Sequence, residues 1–100
     1  MKAPPISAEL LRDNREEIQR IAAKHGAYNV RVFGSFARGE AGPQSDLDLL
    51  ISVGSKTTPW FPGGLVSDLE QLLGRRVDVL TENGLSSLIR DRVLNEAVPL

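Results

Sequence analysis

The stretch Phe33–Val53, FGSFARGEAGPQSDLDLLISV, decides the reading of this chain. A glycine and a serine, Gly34-Ser35, stand near its start. Ten residues later come two aspartates separated by one leucine, Asp46 and Asp48. The preceding YNVRVF (Tyr28–Phe33) alternates and is rich in β-branched residues, so it reads as a strand that ends at the Gly-Ser turn. SFARGE fits one or two helical turns, stopped by Gly42-Pro43. DLDLLISV (Asp46–Val53) reads as a second strand. Its almost continuous apolar character points to a central position covered on both faces.

Side chains alternate along a strand, so Asp46 and Asp48 point to one side, and Leu47 and Leu49 to the other. Two carboxylates one pleat apart repel each other and need either solvent or a cation between them. Taken alone, the pair is better read as a solvated strand edge. The neighbours change the balance. Gly34 permits close backbone approach at the end of the preceding strand. Ser35 adds a hydroxyl beside free N–H groups at the start of a helical turn, a setting that favours an anion. RRVDVLT (Arg75–Thr81) reads as a third strand and carries Asp78 between two valines, where aspartate is depleted. If that strand pairs beside DLDLL, three carboxylates gather. Mg²⁺ takes oxygen ligands and bridges carboxylates to substrate phosphates. Two such ions about 3.5–4 Å apart would fit between the carboxylates and a triphosphate.

Outward from this centre, SAELLRDNREEIQRIAAKHG (Ser7–Gly26) reads as one helix. Leu11, Ile18, Ala22 and His25 form a stripe, with Leu10, Asn14 and Ile21 beside it; Ser7 and Gly26 are candidate caps. LVSDLEQLLG is a short helix burying Leu65, Leu69, Leu72 and Leu73 and closed by Gly74. GLSSLIRDRVLNEAV is a last helix, with Leu85, Leu88, Ile89 and Val93 inward. GSKTTPWFPGG (Gly54–Gly64) is the one long loop. The fold class is therefore a small α/β layer fold: a mixed sheet of three strands, with room for a fourth, and helices packed on it.

The 100-residue length favours a single domain spanning 1–100. At 41% hydrophobic and 25% charged residues the composition is that of a globular protein rather than a disordered one. The net charge of −1 supplies no basic field, so direct nucleic-acid binding is not expected. The absence of cysteine excludes disulfides and thiolate zinc sites and is compatible with a reducing cytosol. No signal-peptide core or membrane-length apolar run is present, so a cytoplasmic location without a membrane partner is expected.

The spaced set Gly34-Ser35, Asp46-x-Asp48 and Asp78, within FGSFARGE, SDLDLL and RRVDVLT, resembles the minimal nucleotidyltransferase group of the DNA polymerase β-type nucleotidyltransferase superfamily. The closing IRDRVLNEAVPL resembles that group's C-terminal helix, so the likeness covers nearly the whole chain. The resemblance implies Mg²⁺-dependent transfer of a nucleoside monophosphate, AMP from ATP above all, to a hydroxyl. It implies that Gly34 and Ser35 hold the triphosphate and that Asp46 and Asp48 bind both metals. Asp78 would bind the metal at the attacking hydroxyl and help activate it. Members of this size are commonly antitoxins paired with an all-helical HEPN-domain ribonuclease, and such members adenylylate a tyrosine on that partner. With no room in these residues for an acceptor-recognition domain, a protein acceptor becomes more plausible.

Other residues carry two readings each. Arg38 suits planar oxyanion recognition, hence a nucleotide phosphate, or it braces the turn. Glu40 reads as solvated or turn-forming rather than catalytic, and His25, at a helix end, as structural rather than a ligand. Trp60 and Phe61, between prolines, read as packing over the core, with base or partner contact as the alternative. Arg75 and Arg76 read as flanking a strand start, with phosphate or partner contact as the alternative. Two function classes remain: a nucleotidyltransferase, or a binding protein that neutralises its partner by contact with the nucleotide site idle. A homo-oligomer is compatible with either.

Overall fold

The alternating and apolar runs around the Gly-Ser turn pair as a hairpin at the centre of one mixed sheet. The computed structural model describes residues 6–42 and 44–100, with side chains described from Glu9 onward. The strands are β1 (Ala27–Phe33), β2 (Leu47–Val53), β3 (Val77–Thr81) and β4 (Val98–Pro99), in the order β3-β2-β1-β4. β1 runs antiparallel to both β2 and β4, while β2 and β3 are parallel. A parallel pair needs a crossover, and the helix α4 (Gly63–Leu73) supplies it. The fourth strand is too short to announce itself in sequence: it is Val98–Pro99, beyond the Ala97 cap of the last helix, paired to Val32 and Arg31.

Helices α1 (Ile6–Asp13) and α2 (Arg15–Lys24) precede the sheet, α3 (Ser35–Arg38) follows β1, and α5 (Ser87–Glu96) follows β3 through a single 3₁₀ turn at Glu82–Gly84. The expected first helix is thus two. The break falls at Asn14, whose side-chain amide donates to the Leu10 carbonyl at 2.8 Å and competes there with the helical ladder. Ser7, expected as the cap, instead falls inside α1, which already begins at Ile6, and the Pro43 stop lies outside the described residues. Gly26 does end α2: its φ is +88°, and a Cβ there would lie 2.0 Å from the Lys56 carbonyl oxygen, so only glycine fits. Gly74 ends α4 in the left-handed conformation, as its position implied.

The larger core joins α2, α4 and one sheet face through Ile18, Ala22, Val30, Val32, Leu47, Leu49, Ile51, Leu65 and Leu69. Each fully buried leucine or isoleucine here contributes about 1.5–3 kcal/mol of transfer free energy. Tyr28 would share a face with Val30 and Val32 in a regular strand, yet it is exposed. Asn29 takes φ +51° and the β1–β2 register shifts between Tyr28 and Arg31, so a bulge turns Tyr28 outward. The opposite face carries a smaller cluster: Leu50, Leu85 and Val93, with Phe33, Leu80, Leu94 and Ala97 against it.

That small second face corrects the reading of the last helix. Leu85 and Val93 are buried as expected, but Leu88 is 92% exposed and Ile89 is exposed as well. The apolar patch offered by Leu50, Leu80 and Phe33 is already covered by Leu85 and the C-terminal half of α5, which leaves the first turn nothing to pack on. Trp60 is a second correction: it is 91% exposed, while its neighbour Phe61 packs on the core.

Candidate active site

The register gathers the predicted residues at one end of three strands. Phe33 pairs with Asp48 and Asp48 with Asp78, so the Gly34 turn, Asp48 and Asp78 form a row across β1, β2 and β3. Asp46 stands just before β2 and, like Asp48, is partly buried, whereas Asp78 is exposed. Leu47 and Leu49 anchor β2 from the opposite face, both fully buried. Alternation along β2 thus separates a carboxylate side from a core side, as the sequence implied.

Gly34 is the tightest point. Its backbone sits at φ +74°, ψ −153°, and a Cβ placed on it would lie 2.2 Å from Asp48 Oδ2. The turn therefore presses its backbone against the Asp48 carboxylate, a close approach that only glycine allows. Ser35 opens α3 directly after it, and Gly39, left-handed at φ +72°, ends that short helix.

Burial pushes the Asp48 carboxyl up to about 6; repulsion from Asp78 and then Asp46 adds to this, and the Arg38 guanidinium opposes it. Among the described residues no three His, Cys, Asp or Glu side chains are drawn together closely enough to hold a metal ion. The donor chemistry nevertheless fits a hard divalent cation, since every candidate ligand is a carboxylate oxygen and their mutual repulsion is relieved by positive charge between them. The glycine cradle leaves the room at Asp48 that such a ligand needs.

A pH-dependent stability difference follows. A carboxyl raised in the folded state costs stability as pH climbs through the window from its ordinary value of 3.8 to about 6, and the cost is complete above that. Asp48→Asn removes the charge, so without divalent cations its stability advantage over wild type should be small near pH 4, grow through pH 6 and level off above it. Thermal melts of both proteins in chelator across that range check this; a difference independent of pH would contradict it.

Arg38 is committed elsewhere. Its Nε donates to Glu40 and its Nη1 to Glu96 of α5, so it currently braces the turn and ties it to the last helix. The Glu96 contact spans 58 positions and has no local signal in the sequence. His25 is buried and structural: its ring nitrogens meet Thr58 Oγ1 at 2.6 Å and Asp68 Oδ2 at 2.7 Å, joining the end of α2 to the long loop and α4. The Glu40 side chain is exposed and paired only with Arg38 among the described residues.

With this geometry in place the comparisons are informative. The family model "Nucleotidyltransferase domain" matches residues 12–100. The chain belongs to the nucleotidyltransferase domain family. A candidate protein adenylyltransferase of Methanocaldococcus jannaschii is 43% identical over 89 residues, covering 85% of this chain and 96% of its own. A solved structure of a candidate minimal nucleotidyltransferase is 50% identical, covers 92% of this chain and 94% of its own, and superposes with a TM-score of 0.81. The four-stranded mixed sheet with five helices is thus the minimal nucleotidyltransferase fold. A chain from a toxin-antitoxin crystal structure with AMP-PNP shares that fold at 22% identity and a TM-score of 0.63, covering 92% of this chain and 67% of its own. Among the described residues of this nucleotidyltransferase, no helix is long and apolar enough to cross a membrane.

Proposed function

We propose that this nucleotidyltransferase, acting as a single domain in the cytoplasm, transfers AMP from ATP to a tyrosine hydroxyl of a helical HEPN-type ribonuclease and so acts as its antitoxin. The observation that carries the reading is the row Gly34, Asp48 and Asp78 across three strands, with the glycine backbone pressed against the central carboxylate. The family match, the adenylyltransferase name of the M. jannaschii relative and the AMP-PNP-containing toxin-antitoxin structure support it.

In this reading the bond between the α- and β-phosphorus groups breaks, the acceptor oxygen bonds to the α-phosphorus, and pyrophosphate leaves. Gly34 admits the triphosphate against the turn, and the Ser35 hydroxyl donates to it. Asp46 and Asp48 hold the charge-neutralising side of the site. Asp78, exposed and opposite Asp48, is the carboxylate that an entering hydroxyl meets, and it accepts that hydroxyl's proton. Arg38 reaches a phosphate only after leaving Glu40 and Glu96. Two Mg²⁺ ions, held by Asp46, Asp48 and Asp78, would offset the triphosphate charge and acidify the hydroxyl.

Calorimetric titration with ATP tests the site. Mg²⁺ should strengthen ATP binding to wild type, and the double variant Asp46→Asn, Asp48→Asn should lose that gain while remaining folded. Equal wild-type affinity with and without Mg²⁺ would remove the basis for the reading. A second reading, neutralisation of the partner by contact alone, draws on the lack of a preassembled three-ligand cluster among the described residues. It predicts partner binding without nucleotide transfer.

The partner surface includes the loop at Trp60, whose ring is left in solvent. Trp60→Ala should weaken co-purification with the helical product of the neighbouring gene, by about 2 kcal/mol where the ring anchors the contact. Unchanged affinity on titrating the purified partner would exclude this loop from the interface.

A further inference from the structure

Three features converge on Arg75, which lies two residues before β3. Its guanidinium carbon stands 5.1 Å from the centroid of the Phe36 ring. Its Nη1 donates to the Ser45 carbonyl at 3.2 Å. Its Nε is buried and meets no acceptor among the described residues. Phe36 follows Ser35 in α3 and is buried; Ser45 immediately precedes Asp46. One side chain from the third strand's approach therefore touches both halves of the proposed site, the Gly-Ser turn through the ring and the carboxylate strand through the carbonyl.

We propose that Arg75 is a positioning residue that sets the separation between the Gly34-Ser35 turn and Asp46. The proposal rests on the active-site reading above. Elsewhere the approach to Asp46 is held by short-range contacts: Ser45 N–H to the Gly42 carbonyl at 3.1 Å, and Gly42 N–H to the Ser45 hydroxyl at 2.9 Å. These fix the shape of the loop but not its distance from α3. The Leu47 N–H bonds to the Arg76 carbonyl at 2.9 Å, which ties β2 to the β3 approach at backbone level. Arg75 extends that tie across to α3. An arginine suits this position because its planar head stacks on a ring face while its fork donates at the edge. A buried donor without an acceptor is costly; the unmet Nε is what the geometry reaching both Phe36 and Ser45 brings with it. Residues that orient metal ligands, without being ligands, typically shift metal affinity by about 10–100-fold.

Arg75→Met and Arg75→Lys separate positioning from simple packing. The Met variant keeps an apolar stem against the ring and loses both the guanidinium charge and the donor; the Lys variant keeps charge over the ring. Two readouts are paired: amide hydrogen exchange in the metal-free protein, and ATP affinity with and without Mg²⁺. Arg75→Met should leave β1 and α4 as protected as in wild type while the Asp46 and Leu47 amides exchange about tenfold faster. ATP affinity in chelator should be unchanged, and the gain from Mg²⁺ should fall by about 10–100-fold. Arg75→Lys should recover part of both, and it carries the test if the Met variant does not fold. A folded Met variant with wild-type exchange and wild-type Mg²⁺ gain would overturn the proposal, as would an equal loss of affinity with and without Mg²⁺. A wild-type protein without any Mg²⁺ gain would instead overturn the active-site reading, and the positioning role with it.

Discussion

Asp78→Asn should transfer AMP about 10²–10⁴ times more slowly than wild type while keeping most of the Mg²⁺-dependent ATP affinity. The division follows from the placement of the three carboxylates. Asp46 and Asp48 lie on and just before the central strand, partly buried beside the Gly-Ser turn, where the triphosphate would enter. Asp78 is exposed on β3, opposite Asp48, and so is reachable from solvent. Amidation there should leave the nucleotide side intact but remove the group proposed to take the hydroxyl's proton. Folding should be unaffected, because the side chain is exposed and its neighbours Val77 and Val79 still pack. Intact-mass spectrometry of the acceptor gives transfer, and titration gives binding. A wild-type transfer rate would make Asp78 a surface residue of an ordinary strand. A loss of ATP binding as complete as in the Asp46, Asp48 double variant would keep the site but refute the division of labour.

Gly34→Ala should disturb the proposed site directly. The new Cβ would lie 2.2 Å from Asp48 Oδ2, and the backbone φ of +74° is unfavourable for any residue with a side chain. Backbone strain of this kind costs about 1–3 kcal/mol, and each kcal/mol lowers Tm by about 4–8 °C in a domain of this size. The steric conflict has only two outlets. Either the Asp48 carboxylate swings away from its place, or the end of β1 moves off β2. Both displace the proposed ligand from the turn, and a misplacement of about 1 Å can cost 10² in rate. Melting and ATP titration on the same preparation read the two effects. A folded alanine variant with wild-type Mg²⁺·ATP affinity would show that the contact between Gly34 and Asp48 plays no part in binding.

The placement of the candidate site residues was more legible in the sequence than the outer shell of the fold. The Gly-Ser turn, the aspartate pair and the third aspartate follow from local patterns, strand alternation and turn chemistry, and the register then aligns Phe33, Asp48 and Asp78. The helix breaks at Asn14, where a side-chain amide shares the Leu10 carbonyl with the backbone N–H, and periodicity is blind to that competition. The bulge at Asn29 reverses the facing of Tyr28, which simple alternation cannot anticipate. Leu88 has helical spacing suited to burial, but whether it is buried depends on how much apolar sheet surface remains, a property of the assembled fold. The same holds for Arg38, whose ion pair to Glu96 joins distant parts of the chain, and for Arg75, which reads as a strand flank until Phe36 and Ser45 are brought beside it.

The most direct measurement is transfer itself. The purified chain is incubated with ATP labelled in the α-phosphate, Mg²⁺ and the helical product of the neighbouring gene, and the partner is then examined by intact-mass spectrometry and tyrosine mapping. The account predicts one or more adenylyl groups on a partner tyrosine, dependent on Mg²⁺ and absent with the Asp46→Asn, Asp48→Asn variant. A partner that binds the chain stably and is silenced by it, yet gains neither mass nor label, would contradict it.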